Sequence, residues 1–180
     1  AVGAGNHDGT GTKASGSASS AFGVNAQAMS ANSLAMGSFS RADGTSSIAI
    51  GDRANASLGG SVAIGSGAYV NGMGTIAIGS SATSNSLNAI TLGVESKAVG
   101  SYAVSVGNKS YAGIDGVAIG RGANALENNA TAVGAATYAG IGSSAFGRDS
   151  KANGTAATAI TGGNAYGNAA VAIGIGSKAA

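Results

Sequence analysis

The stretch Ser47-Ile48-Ala49-Ile50-Gly51 returns as Ser61-Val62-Ala63-Ile64-Gly65, one period of 14 residues later. Ile76-Ala77-Ile78-Gly79, Val117-Ala118-Ile119-Gly120 and Val171-Ala172-Ile173-Gly174 carry the same phrase. Weaker copies fill the gaps: Leu34-Ala35-Met36-Gly37, Ile90-Thr91-Leu92-Gly93, Val104-Ser105-Val106-Gly107, Ala132-Val133-Gly134 and Ala145-Phe146-Gly147. The closing glycines fall at 23, 37, 51, 65, 79, 93 and 107. The phrase then closes at 120, 134, 147, 161 and 174, alternating spacings of 13 and 14, with Thr161 in place of glycine. Self-similarity at a short fixed period is the signature of a solenoid. Residues 20–180 hold twelve copies and read as one structural domain, and residues 1–19 read as an irregular or degenerate first repeat.

Each copy has a second half. Three residues past the glycine stands a small residue, as at Ser40, Ala54 and Ala68, and another stands five past it, as at Ala42, Ala56 and Val70. In the copy closed by Thr161 the same count selects Asn164 and Tyr166. Spacing by two is the period of a strand and not of a helix. Each unit is therefore expected to hold two strands of about five residues, joined by turns whose glycines and asparagines supply positive φ. Fourteen residues make one coil of a two-stranded parallel β-roll, its equivalent strands stacked ~4.8 Å apart.

Charge placement tests this register. Arg41, Asp52, Arg53, Glu95, Lys97, Lys109, Arg121, Arg148, Asp149, Lys151 and Lys178 all lie one, two or four residues past the closing position. The apolar pair of the first strand and the two small positions carry no charge in the twelve copies, and all are expected to face inward. Yet neighbouring residues of a strand point to opposite faces, and in Ile48-Ala49-Ile50 both faces are non-polar. A strand with one side in water alternates instead, as the second strand does. The first sheet should thus be covered on both sides, by the narrow roll on one and by a partner on the other. Copies of the same chain are the simplest partner, in a rotationally symmetric homo-oligomer. The candidate repeat-core and packing residues are Ile48, Ile50, Val62, Ile64, Ile76, Ile78, Ile90, Leu92, Val104, Val106, Val117, Ile119, Val171 and Ile173. The sequence leaves open which face of this strand meets the partner.

Composition narrows the alternatives. Thirty-three glycines, 4% aromatic residues and no tryptophan leave too little side-chain volume for a broad close-packed core. Disorder does not suit a chain that is 44% hydrophobic with a net charge of +2. Absent proline excludes collagen, and absent cysteine excludes disulfides, thiolate metal sites and thiol nucleophiles. Nine cations against seven anions, scattered singly, form no nucleic-acid stripe. No apolar run approaches the ~20 residues of a membrane-spanning helix.

The SVAIG-type phrase of Ser61-Val62-Ala63-Ile64-Gly65, with Ala68 three and Val70 five past the glycine, resembles the head repeats of trimeric autotransporter adhesins, the YadA-like family. The resemblance covers residues 20–180. It implies a left-handed parallel β-roll in a side-by-side homotrimer, displayed on the surface of Gram-negative bacteria as a virulence-associated adhesin. A neck, a coiled-coil stalk and an outer-membrane barrel would anchor it from regions outside this chain. The 13-residue spacings after Gly107 imply one-residue turn deletions.

Chemistry has little to work with. An active site needs convergent polar groups, and His7, beside Asp8, is the lone histidine. The period is too short for the hexapeptide-repeat acyltransferases. The acidic residues share no fixed repeat position, so they build no calcium ladder. Gly3 and Gly5 read as a glycine-rich turn and not a nucleotide loop. The chain is read as no enzyme, with no catalytic, cofactor or metal residues and no cofactor. Tyr69, Tyr111 and Tyr138 face out from the second strand, read as ordinary exposed aromatics before anchors for a partner. Lys97, Lys151 and Lys178 share their row, where they could attract acidic glycans weakly but are read as scattered solvated charges. The expected function is attachment to extracellular matrix of the collagen, fibronectin or laminin class, or to host cells, with self-association between heads. The alternative is a structural spacer in a surface fibre. The ligand-binding residues are not legible, and neither nucleic acid nor direct membrane contact is expected.

Overall fold

The computed structural model describes residues 11–180, which are all β: short parallel strands joined by turns, with no helix. His7, Asp8, Gly3 and Gly5 lie outside the described residues. The chain divides into two compact units, Ala1–Ala89 and Ile90–Ala180, and both are built alike as a parallel β-solenoid. Together they give about twelve coils, counted by the three-residue strands, five in the first unit and seven in the second.

Each coil has a three-residue first strand, such as Ile48–Ile50, and a two-residue second strand, such as Asn55–Ala56. Strands stack only on their equivalents, parallel and in register. Ile48, Ala49 and Ile50 pair with Val62, Ala63 and Ile64, and Asn55-Ala56 pairs with Tyr69-Val70. In the second unit Val104, Ser105 and Val106 pair with Val117, Ala118 and Ile119. The strands are shorter than the expected five residues because turns take up the remainder. Lys13-Ala14 pairs with Gln27-Ala28, so a second-sheet strand forms already within the irregular N-terminal stretch.

Most turns close with a backbone N–H to the carbonyl three residues back, Ala54 to Gly51 at 3.2 Å and Ser47 to Gly44 at 3.2 Å. The third turn residue is left-handed, but glycine and asparagine do not monopolise it: Phe39, Ser46, Arg53, Glu95, Lys109 and Asp149 have φ between 53° and 61°. Left-handed φ costs such residues roughly 1–2 kcal/mol each. The coil stack offsets this, since the N–H of Arg53 donates to Ser38 O at 2.8 Å and that of Lys109 to Val94 O at 3.0 Å. Coil-to-coil bonding therefore runs through the turns as well as the strands.

The closing glycine has two reasons to exist. Gly51 has φ +129°, and a methyl there would lie 2.5 Å from the carbonyl oxygen of Gly65 in the next coil. Both the backbone angle and the close approach exclude a side chain. Thr161 escapes by leaving this geometry: its φ is +52°, and the following turn loses a residue. Lys151-Ala152 consequently pairs with Asn164-Ala165. The inward residues of that coil are Gly163 and Ala165, and Tyr166 is 52% exposed. The expected inward positions Asn164 and Tyr166 are thus corrected by one residue. The other two short coils, closing at Gly120 and Gly147, lose their residue in the opposite turn, around Ile114-Asp115 and Ile141-Gly142.

The interior is narrow and made of small side chains. Apart from Val70, each buried hydrophobic residue is alanine, accompanied by buried serine and threonine. In the coil of Gly51 the inward residues are Ser47, Ala49, Ala54 and Ala56. The serine hydroxyl is satisfied within its own turn, Ser47 Oγ donating to Gly44 O at 2.7 Å. Ser33, Thr75 and Ser96 repeat this bond to the carbonyl three residues back.

One expectation is overturned here. The apolar pair of the first strand does not face inward: Ala49 is fully buried, while Ile48 and Ile50 are half-buried on the outer face. The cause is space, because two sheets held apart only by alanine and serine leave no room for isoleucine between them. The same pattern holds for Val62 and Ile64 around Ala63, Ile76 and Ile78 around Ala77, and Val117 and Ile119 around Ala118. Ile90 and Leu92 flank buried Thr91, Val104 and Val106 flank buried Ser105, and Val171 and Ile173 flank buried Ala172.

Candidate functional site

With an interior filled by small side chains, whatever this molecule binds must meet its outer faces. Register turns each strand position into a file running along the coils. On the first sheet the third strand position is apolar throughout: Phe22, Met36, Ile50, Ile64 and Ile78 in the first unit, then Leu92, Val106, Ile119, Val133, Phe146, Ile160 and Ile173 in the second. Phe22, Met36, Ile119 and Phe146 expose 40–43% of their surface. The first position is less uniform, with Ser20 in the first unit and Thr131, Ser144 and Thr158 in the second. The apolar strip therefore narrows at those coils.

Turn residues widen it. Met73, Ile114 and Ile141 sit in the turns leading into first strands, exposed by 60%, 49% and 53%. Sequence reading missed them because it followed the strand phrase alone. The signal is a large apolar residue second in that turn, a place Leu87 also fills at 41% exposure, where other coils carry small or polar residues such as Thr45, Ser101, Asn128 or Thr155. A row of exposed apolar side chains repeated along a sheet is more than the scattered single residues normal on a surface.

The second sheet differs. Its outward position holds Gln27, Arg41, Asn55, Tyr69 and Thr83 in the first unit, and Lys97, Tyr111, Asn124 and Tyr138 in the second, continuing to Lys178. Tyr69 is exposed, while Tyr111 and Tyr138 are half-buried between their neighbours in the file. The charged residues of the turns pair locally: Arg53 with Asp52 at 2.7 Å, Lys109 with Glu95 at 3.5 Å and Arg148 with Asp149 at 3.1 Å. The Arg53 guanidinium also lies 5.6 Å from the centre of the Phe39 ring, one coil away.

The shortened turn after Thr161 opens a cavity of about 340 Å³, lined by Arg148, Asp149, Thr161, Gly162 and Ile175. Its two charged groups are paired with each other, so it offers no free charge to a ligand. Among the described residues, no group of three or more His, Asp or Glu is placed to hold a metal ion.

A parallel β-solenoid with an alanine-serine interior and outward-facing files is a scaffold for lateral packing and display, non-enzymatic in kind. The chain belongs to the YadA head family: the model described as the YadA head domain repeat (2 copies) matches residues 14–40, 30–54, 42–68, 59–82, 112–137 and 139–160, more than half of its length. That family supplies the heads of trimeric autotransporter adhesins, which are cell-surface proteins. Comparison with curated proteins gave no match. Coils outside the matched segments keep the same build. Ile90–Leu92 pairs in register with Val104–Val106, with Thr91 and Ser105 replacing the inward alanine and Ser105 Oγ bonded to Ser110 Oγ at 2.7 Å.

Proposed function

We propose that this chain is the head of a homotrimeric adhesin that attaches a bacterium to host extracellular matrix, of the collagen, fibronectin or laminin class, or to host cells, and that mediates self-association between heads. Regions outside this chain anchor it in the outer membrane. The observation that carries the reading is the unbroken apolar file of the first sheet, from Phe22 to Ile78 and from Leu92 to Ile173. Within each unit, each such residue is already partly buried, so covering the rest against a sister chain is worth about 1 kcal/mol, roughly half of a full burial. A side-by-side assembly uses that face and leaves the second sheet outward. Ile50, Ile64, Ile78, Leu92, Val106, Ile119 and Ile173 with their first-position partners Ile48, Val62, Ile76, Ile90, Val104, Val117 and Val171 are the packing residues of this proposal.

Repetition then multiplies weak contacts: a lateral surface with the same relief in each subunit binds by avidity. Light scattering tests the assembly, with three times the 16.7 kDa chain mass expected; a monomer refutes it. Solid-phase binding to collagen, fibronectin, laminin and epithelial cells tests adhesion, and signal no higher than a stalk-only control refutes it. In the intact protein, replacement of the head by an inert rod of equal length separates adhesion from a spacer role, since a spacer's replacement preserves attachment.

A further inference from the structure

In the second unit the outer face of the second sheet collects lysine, tyrosine and asparagine into one file. Lys97 pairs with Tyr111, Tyr111 with Asn124 and Asn124 with Tyr138. Tyr138 pairs with Lys151, and beyond it lie Asn164 and Lys178. Lys97, Lys151 and Lys178 are exposed. Two residues past the file, just beyond the strands, Leu126, Asn153 and Tyr166 are exposed as well. No carboxylate stands on this file or beside it on the sheet face. The lysines and tyrosines share this row already in the sequence count; the structure adds Asn164 to it, one residue before the position that count selects.

The acidic groups of the unit are held off the track. Glu95 and Asp149, in the turns before it, are paired with Lys109 and Arg148. Asp115 and Glu127 lie in the turns at the far end of the second strands. The face is therefore positive, with aromatic and amide groups between the charges.

We infer that this face binds an extended acidic polysaccharide lying along the file. Lysine supplies the counter-charge, asparagine the donor and acceptor pair that suits sugar hydroxyls, and tyrosine a flat apolar body with a polar tip on which a sugar ring can rest. Tyr111 and Tyr138 are two coils apart, about 10 Å, a separation comparable with a disaccharide. Charge spacing favours this occupant over nucleic acid. The lysines are separated by two to four coils, about 10–20 Å, whereas a nucleic-acid strand carries a phosphate about every 3.4 Å. A polysaccharide with a carboxylate on alternate sugars has the sparser pattern. The inference names a ligand class for the adhesion reading above, and requires the second sheet to stay uncovered in the assembly.

The test uses the whole chain in its assembled state, with immobilised hyaluronate as the probe and neutral dextran and single-stranded DNA as comparisons. Expected is salt-sensitive binding to hyaluronate, none to dextran and weaker binding to DNA. The variant K97Q/K151Q/K178Q should lose about tenfold in affinity, as three exposed charge contacts imply. The variant Y111S/Y138S should lose about tenfold or more, as two lost aromatic platforms imply. The control R121Q, a cation off the track with no ion pair to a carboxylate among the described residues, should change it less than about twofold. Circular dichroism verifies that each variant keeps its strands. Equal losses in the control and the triple variant, tighter binding to DNA, or no binding to hyaluronate at low salt would each overturn the inference. Matrix-protein binding without hyaluronate binding sinks this inference alone; hyaluronate binding without matrix-protein or cell attachment supports it and sinks the matrix-adhesion reading.

Discussion

The two sheets of each unit share an inner lining and differ outside. Inward, both present alanine, serine and threonine, with Val70 the largest buried side chain, because the roll is too narrow for isoleucine or leucine. Outward, the first sheet presents isoleucine, valine, methionine and phenylalanine, and the second presents lysine, tyrosine, asparagine and glutamine. Large apolar residues in this molecule lie on the surface, the reverse of an ordinary globule. The inner rows hold the coil together, and the outer rows decide what it meets.

The largest expected effect lies in what both sheets share, the closing turn. Gly51→Ala forces a methyl onto the backbone of the next coil at a φ of +129°, and should cost about 4 kcal/mol or more. Gly122→Ala is its control: a methyl there meets nothing within 4 Å, so only the left-handed φ is charged, about 1–2 kcal/mol. Thermal unfolding followed by circular dichroism compares them, and equal losses would mean that coil-to-coil crowding is not why the glycine is needed.

Next comes the inside-outside contrast within one strand. Ala63→Leu overfills the interior and should destabilise the coil by about 1–3 kcal/mol. Ile64→Ser, the adjacent residue on the outer face, should change the stability of the isolated coil by about 0.5 kcal/mol or less while weakening assembly. Unfolding and light scattering on both variants check this. If Ile64→Ser unfolds the chain and Ala63→Leu does not, the two faces have been assigned the wrong way round.

A smaller effect than those of the closing glycine and the overfilled alanine concerns the serine that begins the phrase. Ser47→Ala removes the hydroxyl that donates to Gly44 O at 2.7 Å and should cost about 1 kcal/mol. Alanine already occupies the equivalent position at Ala89 and Ala103, so the fold should persist. A shift in the unfolding midpoint with unchanged strand content is the expected result.

Much of this was legible in sequence because a solenoid writes its geometry as a period. The strand phrase, the twelve copies and the place of charges in turns all follow from residue spacing. Turn residues were harder: Arg53, Phe39 and Glu95 take left-handed φ without being glycine or asparagine, since hydrogen bonds from the neighbouring coil support them. Thr161 misled the count by one, because the deletion could not be placed in either turn until Asn164 was seen beside Lys151. The apolar file was visible as a pattern of isoleucine and valine, but its direction was not. Alternation states that two faces differ and does not say which one is inside.

Sequence alone determined the parallel coil, its period, and the need for glycine at the closing turn, because repeated spacing and φ preference are local properties. The tertiary structure decided that alanine and serine line the interior while isoleucine stands outside, and it placed Asn164, not Ala165, in the file between Lys151 and Lys178. Those facts depend on how closely two sheets approach and on where each short coil drops its residue, and both are set by contacts between coils.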